Sequence, residues 1–150
     1  MRPFWTSEEG EDTLPDFVGR RTLIVEDDPD SREAMGEALR RFGYDADCAG
    51  TFLEGVAKLT PEVQWLILDL RLPDGDGAAL LRYIRQHHLP VNVAVVTGTR
   101  EGALLGDAVM LKPDALFTKP VDYRDVARWM STTTPRPPGD GHDGPYAPMG

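Results

Sequence analysis

The chain has 150 residues, 41% of them apolar, which is enough for one domain around a single core; a second folded domain is not expected. Sixteen basic against 25 acidic side chains leave a net charge of −9, so the chain lacks the basic footprint that a phosphate backbone requires, and direct nucleic-acid binding is disfavoured. The longest apolar stretches, Val63–Leu68 and Val91–Val96, fall far short of the roughly 20 residues that span a bilayer, and MRPFWTSEEGED holds no apolar signal core, so a cytoplasmic protein with no membrane contact is expected.

Residues 1–20 are acidic and show no apolar periodicity. They read as a flexible extension in which Phe4, Trp5 and Phe17 could dock on a surface or a partner. Thr22–Val25 is a short apolar run that reads as a strand. Asp30 can cap the helix that follows, where Ala34, Ala38, Leu39 and Phe42 recur at helical spacing until Gly43 stops it. Tyr44–Cys48 reads as a second strand, with Cys48, the sole cysteine, as a small core residue. Phe52–Leu59 suits a short helix with Val56 and Leu59 on one face, and Trp65–Leu68 a third strand. A helix from about Gly77 to His87 turns Leu80, Leu81 and Ile84 inward, and Pro90 precedes a fourth strand, Val91–Thr97. Residues 101–111 suit a weak helix interrupted by Gly102 and Gly106. Ala115–Thr118 is a fifth strand, and Asp122–Met130 a last helix with Val126, Trp129 and Met130 apolar. The Pro- and Gly-rich residues 131–150 read as a disordered tail, where His142 between Asp140 and Asp143 offers no metal-ligand geometry. Alternating strands and helices over residues 21–130 predict a doubly wound α/β domain with a parallel sheet.

Two of these strands end in acids: TLIVEDD delivers Glu26 and Asp27, and LILDLRLPDGDG delivers Asp69. In an open parallel sheet, ligands bind at the carboxyl edge, where the strand order reverses. Three carboxylates gathered there repel one another unless a cation joins them, and an all-oxygen set suits a hard divalent ion, Mg²⁺. The same spacing also fits a solvated acidic turn that only caps the helix. Thr97 ends the fourth strand in VVTG and Lys119 ends the fifth in FTKP, a hydroxyl and an ammonium suited to the oxygens of a phosphoryl group. DGDG hints at calcium, but the D-x-D-x-D-G spacing with its distant Glu is absent.

The acids of IVEDD, the D-x-x-x-P-x-x-D-G run of DLRLPDGDG, VVTG and the final TKP together resemble the receiver domain of a two-component response regulator, over roughly residues 21–130. The resemblance implies a flavodoxin-like (βα)5 fold with strand order 2-1-3-4-5. It implies that Asp69 accepts a phosphoryl group from a histidine kinase or phosphotransfer protein. Glu26, Asp27, Asp69 and the backbone carbonyl of Arg71 would hold Mg²⁺, Thr97 and Lys119 would bind the phosphoryl oxygens, and the Lys119–Pro120 bond would be cis. On this reading the chain is a phosphoacceptor, not an enzyme, beyond its own phosphorylation and dephosphorylation.

One departure stands on the output face. Receivers usually carry an aromatic three residues before the lysine; here that position is Leu116, and Phe117, one place later, should face the core. This puts the usual coupling of that aromatic to the threonine in question. Residues 131–150 are not expected to form an output domain, so signalling is expected through an unknown downstream protein, a possible homodimer, or onward transfer of the phosphoryl group. Two other functions compete. A receiver-shaped interaction module could work without phosphorylation, and a haloacid-dehalogenase-like phosphatase would need D-x-D where residues 69–71 are Asp-Leu-Arg.

Overall fold

The computed structural model describes residues 21–98 and 102–133. The expectations for Phe4, Trp5, Phe17, His142 and both terminal segments lie outside these residues. The elements run β1 (Arg21–Val25), α1 (Pro29–Arg41), β2 (Asp45–Ala49), α2 (Phe52–Lys58), β3 (Val63–Asp69), β4 (Arg71–Leu72), β5 (Gly75–Asp76), α3 (Gly77–Gln86), β6 (Asn92–Thr97), α4 (Gly102–Met110), β7 (Ala115–Thr118) and α5 (Tyr123–Thr132). The main sheet is parallel throughout, in the order β2-β1-β3-β6-β7, which is the expected 2-1-3-4-5 order of its five strands. The short antiparallel pair β4–β5 lies in the loop after Asp69 and was not foreseen. No helix among the described residues is long and apolar enough to cross a membrane.

Strand alternation sends successive side chains to opposite faces, and each face has its own core. Leu23, Val25, Leu66, Leu68, Val93 and Val95 pack with Leu80, Leu81 and Ile84 of α3 and Ala108 of α4. Ile24, Trp65, Ile67, Ala94 and Val96 pack on the other face with Met35 and Leu39 of α1 and Val126, Ala127 and Met130 of α5. Tyr44 closes that second core by meeting Trp65 edge to face at 5.3 Å. Helix α1 is turned from the expected phase. Ala34 and Phe42 face solvent, and Met35, Gly36 and Leu39 are buried. Its cap is Asp28 and not Asp30, because Pro29 takes the first helical position, where its fixed φ and missing N–H are tolerated. Gly43, at φ +98°, ends the helix as expected. Cys48 is half-buried beside α1, and burial raises its thiol above the ordinary value, which makes it a poor nucleophile.

Candidate functional site

The ladder of β1 extends one residue past the strand, where the Glu26 N–H donates to the Ala49 carbonyl at 3.0 Å. The chain then turns sharply into α1, and the turn divides its three acids. Asp28 accepts from the Ser31 N–H at 2.9 Å and from the Ser31 hydroxyl at 2.7 Å, and these bonds hold its carboxyl below the usual range. Glu26 points inward, takes an N–H from Asp28 at 3.0 Å on Oε2, and is buried; Asp27 stays exposed. The turn is therefore more than a solvated cap: Asp28 alone caps the helix, and Glu26 and Asp27 join a cluster.

Asp69 closes β3, whose last residue lies beside Val96 of β6. Only 3% of it is exposed, and one oxygen accepts the Arg71 N–H at 3.2 Å. The loop that follows is built tightly against it. Gly77 donates to the Leu70 carbonyl at 2.7 Å, and a Cβ at Gly77 would collide with the Asp69 carbonyl oxygen and stand 2.8 Å from the Leu70 Cα, so only glycine fits. The other acids of DGDG fasten helices. Asp74 accepts from the N–H groups of Phe52 and Leu53 at the start of α2, and Asp76 caps α3 through the Ala79 N–H at 2.7 Å. Sequence reasoning assigned neither role; Asp76, three residues ahead of the Ala79 N–H, carries a cap signal, while Asp74 reaches across to a distant helix and carries none.

Glu26, Asp27 and Asp69 each offer a carboxylate oxygen within 4.8 Å of the other two. Lys119 reaches in from the end of β7, its Nζ 3.0 Å from Asp69 Oδ2 and 3.4 Å from Glu26 Oε1. Alternation explains the meeting. Ile24, Ile67 and Phe117 all face the core under α1 and α5, so the residues two places on, Glu26, Asp69 and Lys119, emerge on that side of the edge. Thr97, buried at the end of β6, has the opposite parity and donates its hydroxyl to the Gly98 carbonyl at 3.0 Å. Its own carbonyl accepts the Lys119 N–H at 2.9 Å, which ties these two strand ends together. The Lys119–Pro120 bond is cis. Arg71 places its side chain in solvent and its N–H on Asp69. Leu116 is 44% exposed, and Phe117 faces inward to meet Trp129 at 6.4 Å, as alternation required.

Burial pushes the Glu26 carboxyl from 4.5 up to about 7. Asp69 adds to the rise by hydrogen bond and by charge, while the Asp28 N–H and Lys119 oppose it. Burial pulls Lys119 down, but its contacts with Asp69 and Glu26 win, so its ammonium is held above the ordinary value. One ammonium therefore faces three carboxylates, two of them buried, and burial together with Asp69 favours a proton on Glu26. An all-oxygen set short of positive charge fits a hard divalent cation such as Mg²⁺ and suits neither zinc nor copper.

The response regulator receiver domain family matches residues 22–129. The response regulator protein PilR of Pseudomonas aeruginosa is 40% identical over 116 residues, which is 75% of this chain and 26% of PilR. The transcriptional regulatory protein AruR of the same organism is 37% identical over 112 residues, 71% of this chain and 46% of AruR. The chain thus spans between about a quarter and a half of the length of these curated relatives. Among solved structures, a CheY-like receiver domain from Methanospirillum hungatei superposes with a TM-score of 0.68 at 29% identity, over 74% of this chain and 90% of that one. Phosphorylation on aspartate and binding of Mg²⁺ are typical of this family. With a match that spans both cores and every strand end of the sheet, the chain belongs to the receiver domains of two-component response regulators.

Proposed function

We propose that Asp69 is the phosphoacceptor of this receiver, taking a phosphoryl group from a histidine kinase or phosphotransfer protein and signalling through protein contacts. The observation that carries this reading is the placement of Asp69 at the carboxyl edge, 3.0 Å from the Lys119 ammonium and within a cluster of three acids. A carboxylate oxygen of Asp69 attacks phosphorus in line. The bond from phosphorus to the donor's imidazole nitrogen breaks, its electron pair returns to the ring, and an acyl phosphate forms on Asp69. Lys119 holds the attacking carboxylate by a charged hydrogen bond and opposes the charge on the transferred oxygens, and the Thr97 hydroxyl turns from Gly98 to donate to one of them. Glu26, Asp27 and Asp69, with the Arg71 carbonyl, would hold Mg²⁺. When bound, the ion neutralises the charge shared by acceptor and phosphoryl oxygens.

Incubation with Mg²⁺ and a small phosphodonor should add one phosphoryl mass to the protein and none to Asp69→Asn. An unshifted mass for the wild type, together with no response to beryllofluoride, would reject the proposal. The exposed leucine at position 116 favours a second reading, an interaction module that needs no phosphorylation. That reading requires Asp69→Asn to keep full signalling in cells.

A further inference from the structure

The carbonyl oxygens of Glu26 and Asp27 lie beyond the β1 ladder, in a turn where three successive acids repel one another. One side chain returns to them. Arg32, one turn into α1, donates from Nη1 to the Glu26 carbonyl at 2.9 Å and to the Asp27 carbonyl at 3.3 Å. The base of this arm is fixed as well, because the Arg32 N–H donates to the Asp28 carbonyl at 2.9 Å and its own carbonyl accepts the Cys48 thiol at 3.8 Å. A second residue keeps the space open. Gly50, just past β2, lies outside the left-handed region, so its backbone does not demand glycine; a Cβ there would stand 2.8 Å from Arg32 Nη1. What glycine supplies at this point is room for the guanidinium.

We infer that Arg32 is a positioning residue for the cation site: by bridging two successive carbonyls it fixes the backbone of Glu26 and Asp27 and so aims both carboxylates at Asp69. The inference rests on the reading of these acids as Mg²⁺ ligands. Charge and position make opposite predictions here, which gives the test its sign. A guanidinium beside a divalent cation repels it, so if charge alone mattered, removing Arg32 would tighten Mg²⁺ binding. If positioning dominates, removal weakens binding, by about tenfold for a group that orients metal ligands.

Three variants of the full chain decide between them. Arg32→Met keeps the stem and loses the bonds, Arg32→Lys offers an ammonium to one carbonyl, and Gly50→Ala leaves the arginine but displaces its head. Calorimetric titration with Mg²⁺ should show the methionine variant about tenfold weaker, the alanine variant weaker in the same direction, and the lysine variant partly restored. Phosphorylation should need more Mg²⁺ for its half-maximal rate and reach an unchanged rate at saturation. Mg²⁺ affinity equal to or tighter than the wild type in both Arg32→Met and Gly50→Ala overturns the inference. If Arg32→Met does not fold, Gly50→Ala alone decides. A wild type that binds no Mg²⁺ overturns the metal reading, and the inference with it.

Discussion

Glu26 is buried with two neighbours of opposite sign, and its carboxyl rises from 4.5 to about 7. An acid raised on folding favours the folded state only while protonated. Its contribution is complete below pH 4.5 and is lost as the pH climbs through about 7. The full shift corresponds to at most about 3 kcal/mol. Without added metal, urea denaturation should therefore show stability falling between about pH 5 and pH 8, with a much flatter profile for Glu26→Gln. A wild-type profile as flat as that of the variant would refute the assignment. Lys119 behaves differently: its contacts with Asp69 and Glu26 hold it charged across this window, so it contributes attraction to both acids and no titration of its own.

At the scale of elements, the strand runs were legible because a parallel strand buried on both faces is written as a nearly unbroken apolar stretch, and Val63–Asp69 and Asn92–Thr97 are such stretches. The phase of α1 was not legible. Ala34 and Phe42 are apolar yet outward, and Gly36, which carries no hydrophobic signal, is buried with Met35 and Leu39. The β4–β5 pair was invisible because two-residue strands leave no periodicity to read. In the loop after Asp69, the structure gives glycine and acid separate tasks. Gly77→Ala must push a methyl group into the backbone at Asp69 and Leu70, so chemical denaturation should reveal a loss of about 1–3 kcal/mol. Asp76→Ala removes the cap of α3 and should cost about 1 kcal/mol, while Asp76→Asn keeps an acceptor for the Ala79 N–H and should stay near wild type in both stability and phosphorylation. Loss of phosphorylation in Asp76→Asn would place that acid in the site and not at the helix.

For the whole molecule, the site was more legible than its supports, because strand ends in a parallel sheet converge wherever the chain puts them. Glu26, Asp27, Asp69 and Lys119 could be brought together from sequence alone, and they meet as expected. Asp74 and Arg32 were missed, because their targets are backbone groups, which every residue carries and no side-chain pattern marks, whereas the cap at Asp76 had a local signal. The same convergence makes the acid cluster a weak point of the metal-free protein, since among the described residues one ammonium, Lys119, faces its three carboxylates. A ligand that binds the folded chain alone stabilises it by mass action, about 2.7 kcal/mol at one hundred times its dissociation constant. Mg²⁺ must compete with the proton on Glu26, so its effect should grow as that proton leaves. Saturating Mg²⁺ should therefore raise the thermal midpoint more at about pH 8 than at about pH 5.5, and restore most of the stability lost over that interval. The net charge of −9 supplies a control, because any salt screens a repulsive surface. KCl at matched ionic strength should give a small increment that does not depend on this titration, and an effect of KCl equal to that of Mg²⁺ at both pH values would mean that the cluster is screened and not occupied.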